Sequence, residues 1–523
     1  MTDEILNFET WTIRKPAVAG RRGLVAAQNR EAAEVGARVL AEGGNAMDAA
    51  AAASFAIGAV EPWMSGVGGG GCLLHRDAAS GKVSGYNFGM VSPCGLDPAA
   101  YPLTEGTGFD LFNWPSVEDD RNVQGPLSIA VPGQVAGIDL ALRRHGSRSW
   151  SDSLAPAIEL AERGMRLDWY ATLLICTGAA ALAKYGPSRE VYLPGGLPPI
   201  ADWTGPTPVL KLGNLEATLK RLAEAGPEDF YTGELARLLV DDAAEAGCPL
   251  SLDDLQAYRA QAVEPVAQSY RDTEVFAMPG LTAGPSLHQA QRLLAERWNA
   301  SGTAPDAEAY GAYAQALLDT YEDRLATMGD ADEARAPSCT THISVVDGEG
   351  NMVALTQTLL SLFGSRVVFP RTGLLMNNGI MWFDPRPGRP NSIAPNKRPL
   401  SNMCPTMARL PDGSHVALGA SGGRRIFPAV FQLLSFLGDY GMDLEGAAHT
   451  PRLDVSGSDL VTLDGRIAPE ARAALAERFT TQAMQAGVYP PPYACPNAVR
   501  QHADGRQDGV AYIFSPWAGV AAA

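Results

Sequence analysis

The sequence predicts an α+β protein in which strands at both ends of the chain join common sheets around a long helical middle. Three observations support this. Residues 23–88 carry short apolar strands between glycine-rich breaks. Residues 134–330 are dominated by helical periodicity. Beyond residue 340, period-two alternation and turn residues return.

Taken in order, Gly23 to Ala27 reads as a strand and Arg30 to Ala41 as a helix that stops at Gly43-Gly44. Asn45 or Asp48 opens a second helix through Ala59, rich enough in alanine to pack closely, and Pro62 ends it. Cys72 to His75 and Lys82 to Phe88 pair around the turn residues 77–81. Residues 134–145 and 150–184 are helical, and 208–330 is mostly helical with one strand at Tyr270 to Met278. Helices follow near Ile426 to Tyr440 and Pro469 to Phe479. No fixed-period repeat and no low-complexity tail interrupt the chain.

At 523 residues, 46% apolar and 19% charged, the chain has the composition of a globular protein with a large core. Its net charge of −17 argues against nucleic-acid and anionic-membrane partners. Met1 to Arg22 lacks the apolar stretch of a secretory signal, and the longest apolar run, Ala49 to Val60, is too short to span a bilayer. Seven scattered cysteines (72, 94, 176, 248, 339, 404, 495) form no C-x-x-C pair, so reduced thiols and a cytoplasmic location are expected. No His, Cys and carboxylate cluster has metal-ligand spacing, so neither a metal nor another cofactor is expected.

The most informative segment is Cys339-Thr340-Thr341-His342-Ile343-Ser344-Val345-Val346-Asp347-Gly348. A polar stretch precedes it, and alternation begins at the threonines. Cleavage before Thr340 would leave a hydroxyl nucleophile and an α-amine on one residue, with the amine (pKa roughly 7.7–8.0) serving as base. The plainer alternative is that Thr340 simply opens a buried strand. Residues 347–351 form a turn and Met352 to Thr358 a second strand. If the turn centres on Glu349, Thr340 lies opposite Thr358. Thr340, His342 and Ser344 then share one face, as do Met352, Ala354, Thr356 and Thr358. A hydroxyl at 358 could orient the amine; a plain Thr–Thr surface pair is the other possibility.

Two glycine motifs need separate treatment. Gly66-Val67-Gly68-Gly69-Gly70-Gly71 fits G-x-G-x-x-G, but it follows a helix and precedes a strand, the wrong context for a dinucleotide. Its glycines instead suit close backbone approach. Gly419-Ala420-Ser421-Gly422-Gly423 fits a nucleophile elbow, with Asp454 or Asp459 and His502 in the right order for a triad. Alternatively, the consecutive glycine N–H groups at a helix start form an oxyanion hole, worth roughly 3–4 kcal/mol in the transition state.

Together, Thr340-Thr341-His342, Asn377-Asn378, the run from Pro395 to Ser401, Ser421-Gly422-Gly423, and the stretches 43–50 and 61–71 resemble the γ-glutamyltransferase (glutathione hydrolase) family of N-terminal-nucleophile hydrolases. Val131-Pro132-Gly133, Phe230-Tyr231-Thr232-Gly233 and Asp508-Gly509 fit as well. The resemblance implies an αββα sandwich and autocleavage between Cys339 and Thr340. The products would be a large subunit, 1–339, and a small subunit, 340–523, forming one intertwined heterodimer, with association of heterodimers possible. It implies Thr340 as nucleophile, Thr358 as its assisting hydroxyl, and Gly422 and Gly423 as oxyanion donors. The partners implied are a small-molecule amide and a water or amine acceptor.

The substrate-binding positions depart from the family. Gly89 stands where an arginine holds the glutamyl carboxylate, and Gly379 and Trp382 follow Asn378 where acidic residues hold the amine. Leu360 replaces an asparagine, and Asn402 replaces the second serine after Ser401. The segment 384–393 is short. A buried glutamyl zwitterion without ionic partners would cost several kcal/mol. The expected function is therefore an amide hydrolase or acyltransferase whose acyl pocket, made apolar by Leu360, Met381 and Trp382, has moved away from γ-glutamyl. The alternatives are an ordinary glutathione hydrolase in which Arg366, Arg371, Arg386 or Arg424 substitutes, a non-catalytic binding protein, and a serine hydrolase using Ser421.

Overall fold

A computed structural model describes residues 12–107, 114–328, 340–456, 458–489 and 493–523. Cys339, one side of the expected cleavage site, lies outside them. Two seven-stranded sheets face each other. The first runs, in spatial order, Gly519–Ala522, Gly23–Ala27, Thr341–Asp347, Met352–Thr358, Gly70–Arg76, Val83–Phe88 and Gln261–Val263. The second runs Val18–Gly20, Gln507–Ala511, Cys495–Gln501, His415–Ser421, Thr406–Arg409, Thr273–Ala277 and Val266–Tyr270. All their pairings are antiparallel. Both sheets combine strands from before and after residue 340, as the composite-sheet expectation requires.

Side-chain alternation divides the apolar residues into three layers. Ile343, Val345, Val353 and Leu355 face the helices on the outside of the first sheet. Leu24, Leu74, Val346, Ala354, Ala417 and Val499 fill the space between the sheets. Val416 and Leu418 face the helices Gly284–Arg297, Ala307–Thr327 and Ile426–Gly438 beyond the second. The result is an αββα sandwich.

The helix Ala46–Val60 shows how sequence makes the outer layer. Asn45 is its N-cap and Asp48 closes a capping box, so both candidate residues act at one terminus. Nearly every residue is buried, and the alanine run lets the helix lie close to Arg30–Ala41 and the sheet.

Three segment assignments change. The expected strand Tyr270 to Met278 is present as Thr273–Ala277, the second arm of a hairpin with Val266–Tyr270 whose turn places Arg271 at φ +52, a conformation that no glycine announced. The helix expected over 150–184 breaks at Gly164 into Trp150–Arg163 and Trp169–Leu182. The helix expected near Ile426 to Tyr440 starts at Ile426 after a single 3₁₀ turn but ends two residues early, at Gly438. Among the described residues, no helix is long and apolar enough to cross a membrane, and no group of three metal-ligating side chains gathers.

Candidate active site

The hairpin register is the one the turn count predicts: Thr341 pairs with Gln357, His342 with Thr356 and Val346 with Met352. One step further, Thr340 faces Thr358. The Thr340 hydroxyl donates to Thr358 Oγ1 at 3.3 Å, and both residues are buried. Thr358 Oγ1 also accepts the Leu360 N–H at 2.7 Å, with Leu360 at φ +89. The strand thus ends in a kink that holds the Thr358 hydroxyl in place.

The glycine run lies against this strand. A Cβ on Gly69 would meet the Thr358 carbonyl at 2.3 Å, and one on Gly71 would meet the Thr356 carbonyl at 2.4 Å. Its function is backbone approach behind the threonines, not phosphate binding.

His342 is fully buried between the sheets, bonded through Nδ1 to Thr356 Oγ1 (2.8 Å) and through Nε2 to Ser344 Oγ (3.1 Å). Burial pushes its imidazole down to about 3, which keeps it neutral. Its ring occupies the space over Gly419. At the other end of the same strand, His415 touches Arg76, which pairs with Met352 near the hairpin turn. These two contacts orient His415–Ser421 so that its C-terminal end runs toward Thr340. Gly422 and Gly423 follow there at φ +138 and +56, conformations that favour glycine, and a Cβ on Gly422 would strike Ala494 at 2.8 Å.

The serine triad is not assembled. Ser421 pairs with Cys495, whereas His415 pairs with Gln501, the residue before His502. His502 is therefore seven strand positions from Ser421, about 23 Å, and is bonded to Asp508 instead. Ser421 Oγ accepts from Gln28 Nε2, and Asp454 lies 3.9 Å from Arg425.

Asn377 and Asn378 are structural ties. Asn377 Nδ2 donates to the Gly68 and Ala130 carbonyls, and Asn378 Nδ2 to the Val123 carbonyl and Ser361 Oγ. At Gly379 there is no space for a side chain, since a Cβ would stand 2.8 Å from Ala130 Cβ and 3.0 Å from Met90 Sδ. An acidic residue could not occupy this position without displacing the backbone.

The 3₁₀ turn Gly379–Trp382 separates two cavities. One, of ≈ 250 Å³, is lined by Gly89, Trp382, Arg398 and Ser401 among others. The second, of ≈ 320 Å³, is lined by Met381, Ser361, Ser421, Gly422 and Glu61 with an aromatic far wall. Met381 and Trp382, expected in one apolar pocket, thus line different cavities, although both are buried with Leu360 in the apolar cluster between the sheets. The short segment 384–393 closes on itself, with Asn391 bonding the Trp382 carbonyl and the Leu400 N–H.

Of the arginines expected as substitutes, Arg371 pairs with Asp242 and Glu245, and Arg386 pairs with Asp384. Arg366 Nη1 serves Val123, Ser361 and Gly364. Arg424 is buried against Trp114. The guanidinium that does share a cavity with Gly89 is Arg398, bonded to the Gly89 and Arg259 carbonyls. Sequence reasoning placed it in a motif without assigning it a role.

Two facing antiparallel sheets between helical layers, with a threonine at the start of a central strand, define the architecture of N-terminal-nucleophile hydrolases. The family model described as Gamma-glutamyltranspeptidase matches residues 32–339 and 332–513, and the chain belongs to that family. It is 34% identical over 486 residues to the acylase ACY 1 proenzyme of Pseudomonas sp. (strain V22), covering 86% of this chain and 85% of the relative. It is 28% identical over 495 residues to the glutathione hydrolase proenzyme of Bacillus subtilis (strain 168), covering 84% and 81%. The crystal structure of cephalosporin acylase from Bacillus halodurans shares the fold, with a TM-score of 0.84, 22% identity and 99% coverage of each chain. The protein is accordingly a hydrolase of the N-terminal-nucleophile type.

Proposed function

We propose that the protein is a self-processing threonine amide hydrolase and acyltransferase whose acyl pocket no longer fits the γ-glutamyl group. The observation that carries this is the buried Thr340–Thr358 hydroxyl pair, 3.3 Å apart, at the strand end toward which Gly422 and Gly423 are directed. Attack of the Thr340 hydroxyl on the Cys339 carbonyl, followed by hydrolysis of the resulting ester, would release chains of 339 and 184 residues and free the Thr340 α-amine. The names of both curated relatives include "proenzyme", which supports processing.

In the mature enzyme the α-amine takes the hydroxyl proton as Oγ1 attacks the substrate amide. Thr358 orients the pair, and the Gly422 and Gly423 N–H groups receive the negative charge on the carbonyl oxygen. The protonated amine then protonates the departing nitrogen, leaving an ester on Thr340. Water or an amine acceptor resolves that ester. The ≈ 250 Å³ cavity with Gly89, Trp382, Ser401 and Asn402's neighbouring wall takes the acyl group, and the ≈ 320 Å³ cavity beside Gly422 takes the leaving group or acceptor. The closed space at Gly379 and the missing side chain at Gly89 support a departure from γ-glutamyl specificity.

The test is a denaturing gel with N-terminal sequencing, then an anilide panel. Bands of roughly 36 and 19 kDa, the smaller beginning Thr-Thr-His, and loss of hydrolysis in Thr340→Ala are expected. Intact chain with activity surviving Thr340→Ala would overturn the mechanism. Turnover of γ-glutamyl-p-nitroanilide alone would establish the ordinary glutathione hydrolase that the Bacillus subtilis relative favours.

A further inference from the structure

Three polar side chains lining the ≈ 320 Å³ cavity each carry a buried atom with no hydrogen-bond partner among the described residues: Gln28 Oε1, Glu61 Oε2 and Tyr512 Oη. Gln28 and Tyr512 are 4% exposed and Glu61 is 3% exposed. Buried polar atoms are almost always paired, because leaving one unpaired costs its full desolvation. Three in one cavity point to a ligand that brings hydrogen-bond donors.

Their place in the fold ties them to the reaction centre. One step beyond the Ala27–Ile343 pair, Gln28 comes level with His342, two positions from Thr340. Its Nε2 donates to Ser421 Oγ, next to Gly422. Burial first, and the nearby Glu61 carboxylate in smaller measure, push up the thiol of Cys495, which pairs with Ser421. Farther out the cavity is walled by the rings of Tyr170, Tyr489, Tyr493 and Phe514.

Charge decides what the ligand is. Burial pushes the Glu61 carboxyl up to about 8, so a cation beside it would recover the desolvation of its charged form. A glutamine would serve neutral donors as well; only a carboxyl gains from a positive charge. Aromatic faces attract cations too. The two guanidiniums of the cavity are engaged elsewhere: Arg425 faces Asp454 at 3.9 Å, and Arg366 Nη1 holds the Val123 and Gly364 carbonyls and Ser361 Oγ.

We infer that Glu61, with Gln28 and Tyr512, is the ammonium subsite of the leaving-group and acceptor cavity, and that the amine it takes is a primary amine with an apolar or aromatic body. This rests on the acyl-enzyme function proposed above and names its acceptor class. The leaving amine of acylation and the attacking amine of transfer share the site by microscopic reversibility. In transfer, the ammonium gives one proton to the Glu61 carboxylate, and the nitrogen lone pair forms the C–N bond at the ester carbonyl. The ester C–O bond breaks, a second nitrogen hydrogen reaches Thr340 Oγ1 through the α-amine, and Glu61 returns its proton to solvent.

Calorimetry on processed enzyme at pH 7 compares 2-phenylethylamine, 2-phenylethanol and 3-phenylpropanoate. The amine should bind at least about tenfold more tightly than the alcohol, and the anion most weakly. Amine binding should release about one proton, read from the dependence of the heat on buffer ionisation. Glu61→Gln should bring the amine within about threefold of the alcohol and abolish the proton release; Glu61→Asp should keep part of both, and carries the comparison if Glu61→Gln does not fold. With an anilide donor, trapping of the acyl-enzyme as the phenylethylamide should half-saturate at about tenfold more amine in Glu61→Gln. Equal binding of amine and alcohol by wild type, or proton release or trapping unchanged in Glu61→Gln, overturns the inference. The binding measurements need no acyl-enzyme. Activity surviving in Thr340→Ala would therefore sink the acyl-enzyme reading and leave the ammonium subsite standing, whereas an inactive Thr340→Ala beside wild-type amine binding in Glu61→Gln would sink this inference alone.

Discussion

The imidazole of His342 lies directly over Gly419, so that a Cβ at position 419 would come within 2.3 Å of ring atom Cε1. This contact joins the strand that follows Thr340 in one sheet to the glycine-ended strand of the other. A methyl group there must push the sheets apart or drive His342 from its bonds to Thr356 and Ser344. Gly419→Ala is therefore expected to destabilise the protein by about 1–3 kcal/mol. It should also lower kcat by roughly 10²-fold, because Gly422 and Gly423 move relative to Thr340. Thermal unfolding and steady-state kinetics on one preparation check both; a fully active variant would show that the contact does not set the site.

Thr358 supports two donors, the Thr340 hydroxyl and the Leu360 N–H. Thr358→Val keeps the shape but leaves the buried Leu360 N–H unpaired, at about 1–3 kcal/mol, and removes the group proposed to orient the Thr340 nucleophile. Both chain cleavage and turnover should fall about 10²-fold, while Thr358→Ser should retain most of each. Time courses of band appearance separate processing from catalysis. A valine variant that cleaves at the wild-type rate would remove Thr358 from the mechanism.

These relationships differ in how far the sequence discloses them. The Thr340–Thr358 pairing is legible because a five-residue turn and period-two alternation are local, and the register follows by counting. The approach of Gly422 to the same strand end is not, because it depends on how His415–Ser421 stacks over a different sheet through Gly419 and Arg76. The Ser421 triad fails for the same reason: correct order along the chain says nothing about His502 standing at the far end of the sheet. Arg271 at φ +52 hid a turn that lacked glycine or proline.

Three histidines set the acid limit. Burial lowers His342 to about 3; burial and then the stacked His145 ring lower His75 to about 3; and burial, then Arg76, lower His415 to about 4. Each folded-state value lies below the unfolded value near 6.5. Between those values the unfolded chain binds more protons, so the stabilisation is complete above pH 6.5 and is lost as pH falls toward 3–4. Urea midpoints should drop steadily across that window, and His75→Asn should flatten the slope. A midpoint independent of pH from 6.5 to 4 would contradict the burial of these rings.

Glu61 acts in the opposite direction. It is 3% exposed, its Oε2 has no hydrogen-bond partner among the described residues, and burial pushes its carboxyl up to about 8. The folded chain then holds a proton that the unfolded chain releases near 4.3, so stability is greatest below that value and declines as pH rises through about 8. Glu61 also lines the ≈ 320 Å³ cavity with Gly422. Its ionisation would place a carboxylate near the glycine N–H groups proposed to receive the oxyanion, opposing the same charge in the transition state. Freeing the Thr340 amine raises activity through roughly pH 7.7–8.0, so the two titrations together give a bell-shaped profile. Glu61→Gln retains the size and removes the charge. It should abolish the alkaline decline in unfolding temperature and extend the activity plateau beyond pH 8, with the acid limb unmoved. If the variant keeps the wild-type alkaline limb in both measurements, the decline belongs to another group and Glu61 has no part in it.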